Sequence, residues 1–503
     1  MVSDMSRINI GWGRREISLD VPMSLPGQAY MRISEKVLDP MYITALCLEK
    51  DGQCVVFMSC DMLSPMGLEC VCDMVQARIP QFKGEWILPN GTHAHTGGAR
   101  RETPEKTPDG KEIYSGEKYK AFVEQMATEA VCQAWESRKP GGVSYGYGYA
   151  VVGHQRRAVY FEDIGKRQHP LVLAPNGHGA MYGKTNDPLF SHFETGADHF
   201  VNALFTYDEG GALTGMLINV PCPSQTSEML CMQTADYWNE VREGVKAEFG
   251  EQVYVLPQCA AAGDISPRIL HYQAAQNRRM RLKYGADYEN EPDPKKKKFI
   301  KSMAERKDIA ERILLAVKDI HSWAQKEILT EPVLKHRMEL VPIHKRMVTE
   351  EEAQAARDKI RQLESLVPDR ESMTDEEYRV AMSRYNSVRN RSVNALKRFE
   401  EQGSEDPYVH TTVHAVQVGE VAFASNRFEM YQDYMHRIQA RSPFLQTFVV
   451  QLASFEGGRY LPTERGVKNK GYSASIACNL AGFEGGQELV EGTLRMLNEL
   501  KES

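Results

Sequence analysis

The chain runs to 503 residues, long enough for about three domains or for one elaborated catalytic unit. Hydrophobic residues make up 42 % and charged residues 26 %, a balance that excludes a disordered chain, a collagen-like repeat and a small disulfide scaffold. A formal charge of −7 over this length is too mild to imply nucleic acid or an anionic membrane as a partner.

The opening residues, Met1-Val2-Ser3-Asp4-Met5-Ser6-Arg7, lack the basic-then-apolar run of a secretory signal. No stretch approaches the roughly 20 apolar residues of a spanning helix. The expectation is a cytoplasmic protein with no membrane span. Its ten cysteines follow neither zinc-ribbon nor disulfide spacing and read as reduced, buried, small hydrophobes.

Short apolar, β-branched runs that stop at polar residues predict strands. In chain order, Cys54-Val55-Val56-Phe57-Met58-Ser59-Cys60 runs into Asp61, and Trp86-Ile87-Leu88-Pro89 leads toward His93 and His95. Met216-Leu217-Ile218-Asn219-Val220 enters Pro221-Cys222-Pro223-Ser224-Gln225, and Val253-Tyr254-Val255-Leu256 precedes Gly263-Asp264-Ile265-Ser266-Pro267. Residues 271–405 turn rich in Lys, Arg and Glu, with helical spacing in Ile309, Ile313, Val317 and Ile320. Further helices are predicted over 350–366 and 374–402, the second opening on Thr374-Asp375-Glu376-Glu377. The lysine run 295–298 reads as a solvated turn. Beyond it, Val421-Ala422-Phe423-Ala424 precedes Phe428-Glu429, and Phe448-Val449-Val450-Gln451-Leu452 precedes Tyr460. The fold expected is α/β: a mixed sheet flanked by helices, built from 1–270 and 406–503, with 271–405 as an inserted charged helical region. Ligand crevices open beyond the carboxyl ends of strands in such sheets, so the six polar strand ends are expected to meet at one pocket.

His93 and His95, two apart on an extended strand, would turn both imidazoles to one face; metal ligands and hydrogen-bonded structural histidines both fit that spacing. Gly97-Gly98 would clear room for a substrate or metal. Pro267 suits the first turn of a helix, which would hold Ser266 at a helix N-terminus where backbone N–H groups stabilise an anion; an ordinary helix cap is the competing reading. The segment Gly177-His178-Gly179-Ala180-Met181-Tyr182-Gly183-Lys184-Thr185-Asn186-Asp187-Pro188 has the composition of a functional loop.

Thr92-His93-Ala94-His95-Thr96-Gly97-Gly98 resembles the Thr-His-Thr-His-Ser-Gly motif of the neutral/alkaline ceramidase family, and Gly263-Asp264-Ile265-Ser266-Pro267 resembles its Gly-Asp-Val-Ser-Pro motif. Gln155-Arg156-Arg157 is similar to the family's Asn-Arg segment. Phe428-Glu429 and Tyr460-Leu461-Pro462-Thr463 are similar to its late glutamate and tyrosine. The likeness spans about residues 8–475 apart from the charged helical region. It implies a metal-dependent hydrolase, with His93, Glu429 and Tyr460 as Zn2+ ligands, His95 as a second-shell or catalytic histidine, Ser266 as the active-site hydroxyl, and Arg156 or Arg157 steadying the substrate or its oxyanion. Zinc bound by nitrogen and oxygen ligands with an open position yields hydroxide at neutral pH.

Where that family has a further histidine ligand, this chain has Pro223, and proline ligates nothing. Cys222, Asp61, Gln225 or another histidine (His154, His178, His192 or His199) would have to complete the site, or the metal is gone. The expected substrate is a small, soluble, polar molecule with an N-acyl bond, met by His154, His178, Lys184, Asn186 and Gln225. One alternative is a carbohydrate-active enzyme using Asp61, Glu194, Glu228, Asp264 or Glu429 as acid and base. Another is a metal-free binding protein. Association with further copies of the chain stays open.

Overall fold

Two β-sheets stack face to face with helices on both outer sides, in a computed structural model that describes residues 7–106, 110, 112–404 and 406–503. The reading that no secretory signal is present falls on residues 1–6, outside the described residues. The larger sheet has eight strands in the order Tyr254–Cys259, Leu213–Val220, Phe200–Asp208, Lys139–Tyr149, Asn9–Glu16, Tyr42–Lys50, Gln53–Cys60, Ile87–Gly91. Its outermost pair at each end is parallel and the rest antiparallel. The smaller sheet runs Leu334–His344, Tyr408–Val418, Val421–Ser425, Gln446–Val450. The α/β class with a mixed sheet is therefore as expected.

Apolar alternation explains the stacking. Trp12, Leu46, Phe57, Leu88 and Leu217 face Val416, Phe423, Phe448 and Val450 across the interface, with Phe423 4.7 Å from Phe57 and 4.4 Å from Phe448 between ring centroids. Such offset rings add to the stabilisation from area burial. On the outer side of the large sheet lie helices Gly116–Glu136 and Cys70–Arg78 over one half, and Tyr237–Phe249 and Pro294–Ala324 over the other. Gln432–Arg441 and Phe483–Glu502 cover the small sheet; the second buries Leu489, Val490, Leu494, Leu497 and Leu500, the stripe that 3.6 residues per turn produces.

Residues 271–405 are woven into both sheets. Ile309, Ile313, Val317 and Ile320 pack on the large sheet, while Leu334–His344, a strand that helical periodicity did not predict, pairs along its whole length with Tyr408–Val418. Helices Glu350–Leu363 and Asp375–Glu401 both open on capping boxes, Thr349 with Glu352 and Thr374 with Glu377. The run 295–298 is exposed but helical, forming the first turn after Pro294 with Asp293 as its cap, so the turn read from its charge is corrected. All ten cysteines are free, and among the described residues no helix is long and apolar enough to cross a membrane.

Main-chain hydrogen bonds stitch the strand ends together. Thr92 N donates to Cys60 O (3.0 Å), Ser224 N to Thr92 O (3.1 Å), Ala260 N to Val220 O (2.9 Å), Gln451 N to Cys259 O (3.0 Å) and Gly91 N to Leu452 O (3.3 Å).

Away from these ends, His336 bridges the sheets: its Nδ1 donates to Cys54 O (2.9 Å) and its Nε2 lies 2.9 Å from His414 Nδ1. Burial pushes His336 down to about 4 and His414 well below its ordinary value, so both fold uncharged. On acidification the unfolded chain takes up these protons first, near pH 6.5. Stability from the pair is therefore full above that pH and is lost as pH falls toward 4, by about 1.4 kcal/mol per pH unit for each histidine. Urea midpoints measured from pH 7 to 5 should fall in the parent and fall less in His414→Gln; equal slopes would remove the pair from the account.

Candidate active site

Strand Ile87–Gly91 ends before the histidines, and His93 adopts a left-handed backbone (φ 63°), which costs a β-carbon-bearing residue about 1–2 kcal/mol. The extended His-x-His arrangement is thus corrected: a turn at His93, rather than strand alternation, brings the two rings together. They meet edge to face at 4.9 Å, with Nε2 atoms 3.3 Å apart. Gly27 (φ 95°) closes over the second ring, where a β-carbon would lie 2.4 Å from His95 Cγ. Gly97 and Gly98 serve packing instead of opening space for a ligand: a β-carbon on Gly98 would sit 2.3 Å from Met23 Sδ, and one on Gly97 3.0 Å from Met41 Cε.

Hydrogen-bond chemistry fixes the protons. His93 Nδ1 faces Leu63 O at 3.0 Å and must donate to it. Its Nε2 then faces Glu429 Oε2 at 3.4 Å and His95 Nε2 at 3.3 Å. His95 Nε2 in turn accepts from Gln225 Nε2 at 2.8 Å. Burial pushes the His95 imidazole below its ordinary pKa, so it is neutral at pH 7. Its Nδ1, which carries the proton of the neutral ring because Nε2 accepts, faces Glu228 Oε2 at 3.1 Å. The free nitrogen of buried His93 therefore meets only acceptors, and needs a second proton or a cation.

Glu429 and Tyr460 are paired residues of two short parallel strands, which sets them side by side. Gly263 permits this approach, since a β-carbon there would strike Glu429 O at 2.3 Å. Arg156, almost fully buried, donates from Nη2 to Gly263 O (2.8 Å) and Tyr460 Oη (3.4 Å), and from Nη1 to Tyr182 Oη (3.1 Å) and Gln225 Oε1 (3.4 Å), and stands 3.9 Å from Glu429 Oε2. Burial raises the Glu429 pKa, but the charge and hydrogen bond of His93 and the Arg156 guanidinium outweigh it and hold the carboxylate below its ordinary value. Burial and the neighbouring Glu429 push the Tyr460 phenol well up.

Two site members escaped the residue-by-residue expectation. Glu228, weighed only as one carboxylate among five, accepts from Gln28 Nε2 (3.0 Å) and pairs with Arg268. Burial raises its pKa, but His95, Arg268 and Arg156 together bring it down to about 2. Tyr182 comes from the predicted functional loop, its phenol turned to Arg156 by a backbone with φ 57°. The residues expected from that loop lie elsewhere: His178, exposed, bonds Tyr160 O, and Lys184 and Asn186 are exposed. His154 pairs through its backbone with Ser266.

Several expected catalytic groups are committed to architecture. Arg157 grips Glu194 through two bonds of 2.7 and 3.0 Å and also reaches Gly466 O, Lys470 O and Ser473 Oγ. Asp264 accepts from Gln432 N, Gln155 Nε2 and Thr195 Oγ1, and Asp61 is held by Arg242. No helix follows Ser266 until Gln273–Tyr284, so the helix N-terminus expected there is corrected. The buried Ser266 hydroxyl accepts from Arg268 N at 3.2 Å, closing the turn that carries Arg268 onto Glu228. Ser266→Ala is expected to cost about 1 kcal/mol of stability, as a lost local side-chain cap does, and to lower turnover less than tenfold. A loss above a hundredfold at unchanged melting temperature would restore Ser266 to the chemistry.

A cavity of about 620 Å³ opens onto Glu429 and Tyr460. Its other walls include the 24–31 loop, Arg101, Arg459, Tyr472 and one face of helix Asp375–Glu401.

This layered architecture is that of the neutral ceramidases. The neutral ceramidase from Pseudomonas aeruginosa superposes with a TM-score of 0.64 at 15 % identity, over 99 % of this chain and 75 % of that one. A ceramidase complexed with C2 gives 0.63 at 14 % identity, over 99 % and 76 %. No protein-family model matches the chain, nor does any curated protein.

Among the described residues, no group of three His, Cys, Asp or Glu side chains is arranged to hold a metal ion. The three ligands that the resemblance implies lie close together but include a phenol: His93 Nε2 is 3.4 Å from Glu429 Oε2, and Glu429 is paired with Tyr460. Where the further histidine is missing, Pro223 gives way to Gln225, whose amide spans His95 and Arg156.

Proposed function

We propose that this protein is a hydrolase that attacks the carbonyl of an N-acyl bond in a compact, polar substrate, with zinc held by His93, Glu429 and Tyr460. The observation that carries this reading is the buried His93 Nε2, which faces only the acceptors Glu429 Oε2 (3.4 Å) and His95 Nε2 (3.3 Å). A divalent cation relieves that juxtaposition, and the nitrogen and oxygen donors suit zinc. Bound there, zinc would supply Lewis acidity and lower the pKa of a water molecule.

The chain's own residues do the rest. Displacement of the Gln225 amide, which donates to His95 Nε2 at 2.8 Å, frees that lone pair of the neutral ring to take the nucleophile's proton; Glu228, ionised, stabilises the imidazolium that results. The proton passes from His95 to the leaving amine. Arg156, fixed by four acceptors, offers its guanidinium to the developing oxyanion. A glycosidase reading fares worse: it needs one carboxyl protonated at neutral pH beside the reacting centre, whereas Glu228 is brought down to about 2 and Glu429 is held below the ordinary carboxylate range. Of the other candidate carboxylates, the two that burial pushes up, Asp61 and Asp264, are held by Arg242 and by Gln432 N, Gln155 and Thr195.

The test is hydrolysis of soluble N-acyl amino sugars, N-acyl amino acids, glycosides and a short-chain ceramide by protein of measured zinc content. Release of amine from a polar N-acyl compound, abolished by chelation and restored by zinc, is expected. Cleavage confined to glycosides or to ceramide would overturn it.

A further inference from the structure

Helix Asp375–Glu401 is charge-rich, with Arg379, Arg384, Arg389, Lys397, Glu400 and Glu401 along its length. One face departs from this. Ser383, Asn386, Ser387, Asn390, Arg391 and Asn394 follow each other at three- and four-residue spacing, and all six line the cavity that ends at Glu429 and Tyr460. Tyr385, Val388 and Ala395 are buried on another side, so packing does not select the cavity-facing residues. Nor does helix propensity, in which asparagine and serine rank below the Lys, Arg and Glu used elsewhere on this helix.

Half of these six side chains are uncommitted within the chain, and two are not. Ser383 binds Met31 N (3.0 Å) and Val380 O (3.0 Å), and Arg391 is tied to Tyr472 Oη (3.2 Å) and Cys478 Sγ (2.9 Å). Among the described residues, the amides of Asn386, Asn390 and Asn394 make no side-chain hydrogen bond within the chain; all three are exposed at the cavity wall, open to a ligand as to water. Each amide both donates and accepts, which matches neutral hydroxyl groups. Arg101 and Arg459 also line the cavity, exposed like the three asparagines, and Arg459 is tied to Ala477 O at 2.9 Å.

We infer that this face is the specificity wall of the active site, and that the group it recognises is a hydroxyl-rich one, a sugar ring carrying the N-acyl bond. The inference rests on the hydrolase reading for the identity of the reacting centre, and names the substrate class that reading leaves general. The cavity volume lies within the range of small-ligand sites; opposite the apolar Leu25, Pro26, Ala29 and Met31 it sets an amide and hydroxyl wall that an acyl chain does not call for.

Binding is the test, because it does not depend on cleavage. N-acetylglucosamine and N,N′-diacetylchitobiose are titrated by calorimetry into the full chain carrying His95→Ala, and into the same protein with Asn386→Ala, Asn390→Ala and Asn394→Ala added. The triple change raises helix propensity, so its melting temperature is expected to hold while affinity falls at least tenfold; Lys397→Ala, on the same helix away from the cavity, leaves affinity as it was. If the triple variant melts early, Ser387→Trp, which fills the cavity from one position, takes its place. Equal affinity in the cavity variants overturns the inference, as does failure of both sugars to bind. Sugar binding that depends on the asparagines, without cleavage by the parent protein, upholds the wall and overturns the hydrolase reading alone.

Discussion

Protein carrying His93→Ala is expected to leave purification without zinc and to hydrolyse its substrate more than about a hundredfold more slowly, since even partners outside the first coordination sphere commonly cost 10–100-fold in affinity or activity. The expectation follows from His93's position. Its Nδ1 is committed to Leu63 O, so only Nε2 can ligate, and Nε2 is directed at Glu429. Glu429→Gln tests the other side, replacing a charged ligand with a weaker neutral one at nearly constant volume. Elemental analysis of both variants, prepared without added metal, reads the result directly. Full zinc occupancy in both would place the metal elsewhere or nowhere in this cluster.

The second large effect is expected at Arg156. Arg156→Lys should lower kcat about 10²-fold, the loss typical of an electrostatic donor in an active site, with a much smaller change in KM. Lysine keeps the charge but not the planar fork, and cannot span Gly263 O, Tyr182 Oη, Gln225 Oε1 and Tyr460 Oη together. Lysine is preferable to alanine for this purpose. Alanine would strand Glu429 near an emptied space, and breaking a buried charge pair costs about 3–5 kcal/mol, so lost activity would be confounded with lost fold. A lysine variant with parental kcat would show that Arg156 only braces the loops around it.

What was legible in the sequence was whatever neighbouring residues dictate. The run 54–60 reads as a strand because it is apolar and β-branched, and Thr374 with Glu377 reads as a helix start because both partners lie within one turn. The strand Leu334–His344 was not legible: its buried residues change side, Leu334 on one and Val341 and Ile343 on the other, the side that also carries Lys335, Arg337 and Glu339, and its pairing with Tyr408–Val418 is a long-range fact. The same distinction divides the site. His93, His95, Glu429, Tyr460 and Arg156 lie in recognisable motifs and do converge. Asp264 and Arg157 also lie in motifs, yet their partners, Gln432 and Glu194, are remote in sequence and turn them into braces. Glu228 lacked any local mark, because what distinguishes it is His95 on one side and Arg268 on the other. The polar character of the pocket was read from the 154–199 loops, but the helix 375–401 supplies much of it.

The stitching of strand ends has a consequence in time. Gly91 is tied to Leu452, and Glu429 stands beside Tyr460, so the first histidine segment waits for ligands translated some 340–370 positions later. At about 5–20 residues per second that interval is tens of seconds, during which His93 and His95 are present without their partners. A zinc ion held as proposed would therefore find no completed site until Tyr460 has been made, and its loading would belong to the released chain. A nonsense mutation between codons 260 and 446 leaves a chain with all strands of the large sheet but no second sheet, or only part of one, to cover it.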